Sequence, residues 1–130
     1  QNRRKFEDEA IKLGLQDKVL MTGNVKNVGA YMSAMDIFTF PSLYEGMPLA
    51  LVEAQSNGLP CIISAKIPKD VYLTDLIRSL PLENSAEQWI EAITKAGRNH
   101  SEKYGERMKE LGFDRNGMLQ KIYELYERAE

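Results

Sequence analysis

The sequence predicts an α/β fold in which helices flank a parallel sheet. Three observations predict it. Short apolar runs closed by Gly or Pro alternate with helix-period segments over residues 3–64. The connections between them are short, as in a sheet covered on both faces. The 130 residues are 43% apolar and 28% charged, which suits one domain with a buried core.

Each element has its own warrant. Residues 3–13 read as an amphipathic helix: Phe6, Ala10 and Leu13 share a face, Ile11 widens it, and Gly14 ends it. "KVLMTG", 18–23, is a short apolar run closed by glycine and is expected as the first strand. "VGAYMSAM", 28–35, is expected as a small helix, and "DIFTFP", 36–41, as a strand stopped by proline. "PLALVEAQSNG", 48–58, is expected as a helix with Pro48 near its first turn and Gly58 at its exit. "LPCIIS", 59–64, follows as a strand. The pattern changes after residue 65. "SLPL", 79–82, is expected as a short edge strand. Residues 85–97 read as a helix with Ser85 as cap, Gln88 three residues on, and Trp89, Ile93 and Ala96 on one face. Two charged helices are expected at 101–112, capped by Ser101, and at 115–129, where Leu119, Ile122, Tyr123 and Tyr126 share a side. Their charges read as solvated faces. Two units result, 1–97 and the helical tail 98–130.

Composition excludes several functions. The formal net charge is -2 with no sustained basic block, so a large nucleic-acid surface is not expected. No apolar run is long enough to span a bilayer, and no secretory leader is expected. Cys61 is the single cysteine and reads as a buried thiol in a reduced compartment. His100, the single histidine, falls in a charged junction and reads as a surface residue. The chain starts at Gln1 and runs straight into a helix, and a piece of a longer polypeptide is the expectation.

Chemistry is expected around "PSLYEGMPLALVEAQSNGLP", 41–60, because open parallel sheets bind ligands at the carboxyl ends of their strands. Gly46 permits close backbone approach, and Pro48 fits a first helical turn. The amides of Gly46, Met47, Leu49 and Ala50 are candidates to face an anionic or oxygen-rich ligand. Glu45 precedes the helix. It either interacts simply with the helix dipole or accepts hydrogen bonds from sugar hydroxyls. Glu53 lies inside an apolar run, on a stripe with Gly46, Ala50 and Asn57. Either it faces solvent, or it is a buried acid whose two oxygens receive vicinal hydroxyls such as those of a ribose.

"PSLYEGMPLALVEAQSNGLPCIIS" resembles the signature of retaining glycosyltransferases of the two-Rossmann-domain (GT-B) type, group 1 or family 4, which use nucleotide-sugar donors. Two glutamates separated by seven residues, Glu45 and Glu53, carry the likeness. "KVLMTGNVKNVGAYMSAMDIFTFPS" and "IPKDVYLTDLIRSLPLENSAEQWIEAI" extend it, the latter toward transferases that build capsular or exopolysaccharide. The resemblance implies a Rossmann-like parallel sheet that is the partial C-terminal half of a GT-B fold, with a helical tail. Residues 1–97 would be the donor-binding unit, without its first strands. Glu45 would be catalytic, contacting donor-sugar hydroxyls near the reacting carbon. Gly46, Met47, Leu49 and Ala50 would face sugar and diphosphate, Glu53 the ribose, Asn24 and Val25 the base, and Ser42 would shape the cleft. A UDP-sugar is the first expectation for the donor, with GDP- or ADP-sugar behind it, and no metal is required. The partners implied are an N-terminal acceptor domain missing from this chain and a saccharide or lipid-linked acceptor. The full-length protein would be cytoplasmic or peripheral at the inner face of the membrane. The diphosphate-binding basic pair of the family would precede residue 1; Arg3, Arg4 and Lys5 read as surface charge. Alone, this chain would be inactive. A nucleotide-sugar epimerase domain of the same type and a non-catalytic nucleotide-binding or interaction module are the alternatives.

Overall fold

The computed structural model describes residues 2–96, 103–113 and 117. Helix α1 spans Asn2–Lys12, α2 Val28–Ala34, α3 Leu49–Ser56, α4 Ala86–Ala96 and α5 Lys103–Glu110. The strands are β1 (Phe38–Phe40), β2 (Cys61–Ser64) and β3 (Ile77–Leu80), with a single 3-10 turn over Lys69–Val71. They form a parallel sheet in the order β1-β2-β3. The expected helix at 115–129, Ser101 and His100 lie outside the described residues.

Strand β2 is the centre of the fold. Its four residues are all buried, as expected of a strand paired on both edges and covered on both faces. Cys61 and Ile63 pack with Met32 of α2, Leu51 and Ala54 of α3, and Ile67 and Val71. Phe38 and Phe40, two residues apart on one strand face, close this cluster, their rings 5.7 Å apart. Ile62 points to the opposite face, where α4 lies against β2. Helix α5 packs on α3 through a segment that buries Tyr104 and Met108.

The helix ends follow from glycine. Gly14 (φ 65°) and Gly58 (φ 70°) adopt the left-handed conformation that terminates α1 and α3. Around Gly58 the amides of Gly58 and Leu59 reach back to the carbonyls of Gln55 and Ala54. At the other end of the sheet, Ser85 donates its amide to Gln88 Oε1 at 3.0 Å, one half of the expected reciprocal cap of α4. The other half is replaced: a hydrogen bond from the Ser85 hydroxyl holds the Glu87 carboxyl below the usual range.

Two expectations are corrected. The run 18–23 forms no strand; residues 19–23 are irregular, and Leu20 is 80% exposed. A strand exists only by pairing, and no described strand pairs with this run. The face of α1 is likewise uncovered: Phe6, Ile11 and Leu13 are exposed, and only Ala10 is half-buried. The edge strand falls at 77–80, not 79–82. Its register against 61–64 carries Ile77 to Cys61 and Leu80 to Ser64, and Pro81, which has no N–H to donate, marks its end.

Candidate functional site

Strand β1 ends at Phe40, and residues 41–48 carry the chain over the carboxyl edge of the sheet into α3. Pro48 is the N-cap of α3 and is buried; no side chain caps the helix, and the Leu51 and Val52 amides reach the Pro48 carbonyl at 2.9 and 3.3 Å. Among the described residues the amides of Gly46, Met47, Leu49 and Ala50 donate to no protein acceptor. They are the unsatisfied donors that a helix beginning leaves. Gly46, Met47 and Leu49 are exposed and Ala50 half-buried, so these donors are open to a ligand from solvent.

Glu45 is half-buried at the centre of this turn. Ser42 Oγ donates to Glu45 Oε1 at 2.9 Å. The second carboxylate oxygen has no partner among the described residues. Leu43 and Tyr44 stand out into solvent beside it.

Of the two readings of Glu53, the structure takes the solvent-facing one, against a buried acid. It is exposed, and its carboxylate has no protein partner among the described residues. At 100° per residue, the buried positions Leu51, Val52, Ala54 and Gln55 form one arc of α3, and Glu53 falls diametrically opposite. Ala50 and Asn57, half-buried, flank it on the stripe that also leads to Gly46. The stripe is thus the open face of α3, continuous with the Glu45 turn. Asn57 secures its far end, with Nδ2 on the Glu53 carbonyl at 2.9 Å and Oδ1 3.2 Å from Ser33 Oγ of α2. Asn24 is exposed and Val25 half-buried in the loop before α2; no hydrogen bond among the described residues joins that loop to the 42–53 segment. Arg3, Arg4 and Lys5 are exposed, and Arg3 is taken up by Glu7 at 2.8 Å and the Met21 carbonyl at 3.2 Å.

Sequence reasoning missed Gln55. It is fully buried on α3, with Nε2 donating to the Leu51 and Val71 carbonyls. Its Oε1 accepts from the amides of Leu73 and Thr74 and from the Thr74 hydroxyl, at 2.9, 3.1 and 3.0 Å. The available signal was a long polar residue on the same helical arc as Leu51 and Ala54. Gln55 ties the helix that carries the site to the loop entering β3. That loop also lines a hollow of about 540 Å3 with Tyr104 and Arg107 of α5. The hollow lies at the amino edge of the sheet, opposite the Glu45 turn.

Cys61 takes no part in the site. Burial pushes its thiol from the ordinary 9.0 up to about 12. The folded chain keeps this proton while the unfolded chain releases it from about pH 9.0, so the contribution to stability is complete below that pH. It is lost as pH rises toward about 12, at about 1.4 kcal/mol per pH unit. Native protein at pH 8 is expected to resist a thiol reagent that labels the chain fully in denaturant. Rapid native labelling would contradict the burial.

Among the described residues no group of three or more His, Cys, Asp or Glu is placed to hold a metal ion. No helix among them is long and apolar enough to cross a membrane.

A parallel sheet flanked by helices, with open amides and the Glu45 carboxylate where β1 runs into α3, defines a Rossmann-like α/β unit, the kind found in one half of a GT-B fold. The chain belongs to the family described as glycosyl transferases group 1, whose profile matches residues 1–114. It is similar to EpsF of Bacillus subtilis (strain 168), provisionally named a glycosyltransferase, with 38% identity over 92% of this chain and 33% of EpsF. A shorter stretch, 40% of the chain, is 48% identical to 13% of the Escherichia coli UDP-Gal:alpha-D-GlcNAc-diphosphoundecaprenol alpha-1,3-galactosyltransferase. The capsular polysaccharide biosynthesis glycosyltransferase CapH of Staphylococcus aureus is 28% identical over 95% of the chain and 34% of its own length. The chain therefore spans about a third of EpsF and of CapH. No solved structure matches.

Proposed function

We propose that this chain is the donor-binding part of a glycosyltransferase that moves a sugar, with retention, from a nucleotide-sugar to a polysaccharide or lipid-linked acceptor. The observation that carries this is the continuous open stripe from the Glu45 turn along α3 to Glu53 and Asn57, with free amides at one end and an unpaired carboxylate on the helix. The Gly46, Met47, Leu49 and Ala50 amides stabilise sugar and diphosphate as charge develops on the leaving group. The Glu53 oxygens accept from the two ribose hydroxyls. Both oxygens of the exposed Glu53 are unengaged by protein among the described residues and are available to accept. Glu45 meets the sugar hydroxyls through its free oxygen. Asn24 and Val25 lie toward the base, and Ser42 shapes the cleft.

The donor is a UDP-sugar first, as in the name of the galactosyltransferase relative, whose acceptor is an undecaprenol-linked sugar. The names of EpsF and CapH support polysaccharide assembly. The unit is the C-terminal half of a GT-B enzyme. Residues 1–97 form its donor-binding part. The bare edge of β1 and the uncovered Phe6, Leu13 and Leu20 are surfaces on which further strands would pack.

NMR titration with UDP-, GDP- and ADP-sugars tests the donor site. The amides of 46–50 are expected to shift with one nucleotide class. Glu53→Ala is expected to weaken that binding ~10-fold or more, the scale of hydrogen bonds to a charged group. A 2′,3′-dideoxyribose donor, which has neither hydroxyl, should bind wild type and variant equally. Shifts confined to the hollow behind Tyr104, or an unchanged affinity in Glu53→Ala, would overturn the assignment.

A further inference from the structure

We propose that Ser42 is a positioning residue: its hydroxyl fixes the Glu45 carboxylate through one oxygen and presents the other to the donor sugar. The proposal rests on the reading of Glu45 given above. Ser42 is half-buried two residues past the end of β1, so its own place is set by the sheet. Glu45 is not held this way. It sits between exposed Leu43 and Tyr44 on one side and exposed Gly46 and Met47 on the other, on backbone with no regular hydrogen bonding. A glutamate there has three free torsions. The one side-chain contact that restrains it among the described residues is Ser42 Oγ to Oε1 at 2.9 Å.

The hydroxyl has a single proton and two acceptors in range, Glu45 Oε1 and the Tyr44 carbonyl at 3.3 Å. The carboxylate is nearer and charged, so it receives the proton. This satisfies one oxygen and leaves Oε2 unpartnered, aimed by the same bond. A hydroxyl in this role need not touch substrate. Its effect is to keep the acid in the geometry that the reacting complex requires, so it acts on turnover more than on nucleotide binding.

A double-mutant cycle in the full-length protein tests this, reading kcat and donor KM for wild type, S42A, S42T, E45Q and S42A/E45Q. S42A is expected to lose about 10-fold in kcat with donor KM within about 2-fold, and S42T to regain most of the loss. On the E45Q background S42A should add little, because both act through one carboxylate. An S42A enzyme that turns over normally, or an S42A loss carried undiminished onto E45Q, would overturn the role of Ser42 while leaving Glu45 in place. An E45Q enzyme with wild-type turnover would instead remove the reading of Glu45 itself.

Discussion

Gln55→Leu is expected to destabilise the chain by about 3 kcal/mol or more, with a fall in Tm of ~10 °C. Leucine fills nearly the same volume, so the loss is not a cavity effect. The cause is the removal of one side chain that satisfies several groups at once. The Val71 carbonyl and the Leu73 and Thr74 amides lose the partners they have in the native fold, as does the Thr74 hydroxyl. A stranded buried group such as the Val71 carbonyl costs roughly 1–3 kcal/mol and the half-buried Leu73 and Thr74 groups less, against about 5–15 kcal/mol of total stability for an ordinary domain. Thermal and urea unfolding followed by circular dichroism measure it. A change below ~1 kcal/mol would mean that water reaches these groups freely and that the network is peripheral. The consequence for function is indirect but definite: α3 carries Glu53 and begins at the Glu45 turn, and Gln55 anchors that helix to the loop before β3.

Glu45→Gln is expected to lower turnover of the full-length enzyme by ~100- to 1000-fold, the scale of one lost electrostatic contact to a reacting centre. Glutamine keeps the shape of the side chain and can still accept from Ser42. What it removes is the negative charge beside a sugar carbon that becomes cationic as the bond to the diphosphate breaks. Donor affinity is expected to change little, because in the proposed site the amides of Gly46, Met47, Leu49 and Ala50, with Glu53, would hold the nucleotide. Rapid-quench turnover and equilibrium binding separate the two effects. A variant that loses binding and retains kcat would turn Glu45 into a binding residue.

The contrast between the two glutamates shows how far periodicity reads. Both were visible as an acid pair with seven residues between them, beside a Pro/Gly turn. The turn was placed correctly, because Pro41, Gly46 and Pro48 restrict or free the backbone locally. The side on which Glu53 lies was left open, because an apolar helix of eight residues has only a weak stripe in sequence. Leu49, exposed at 62%, is as apolar as Leu51, which is fully buried. Family likeness suggested a role for the turn; the position of Glu53 on the open side of α3 came from the packing of Leu51 and Ala54 on β2.

By itself the sequence determined the helices among the described residues, the strands expected at 36–41 and 59–64 and found at 38–40 and 61–64, and the glycine-terminated ends, all of which depend on torsions and periods within a few residues. Tertiary structure decided the rest. It left 18–23 without a ladder, set 77–80 in register with 61–64, turned Glu53 to solvent, and gave Gln55 its partners. These outcomes require a neighbour distant in sequence. Hydrogen bonds of a sheet and burial of a side chain are properties of a pair of surfaces, and one stretch of chain specifies only its own.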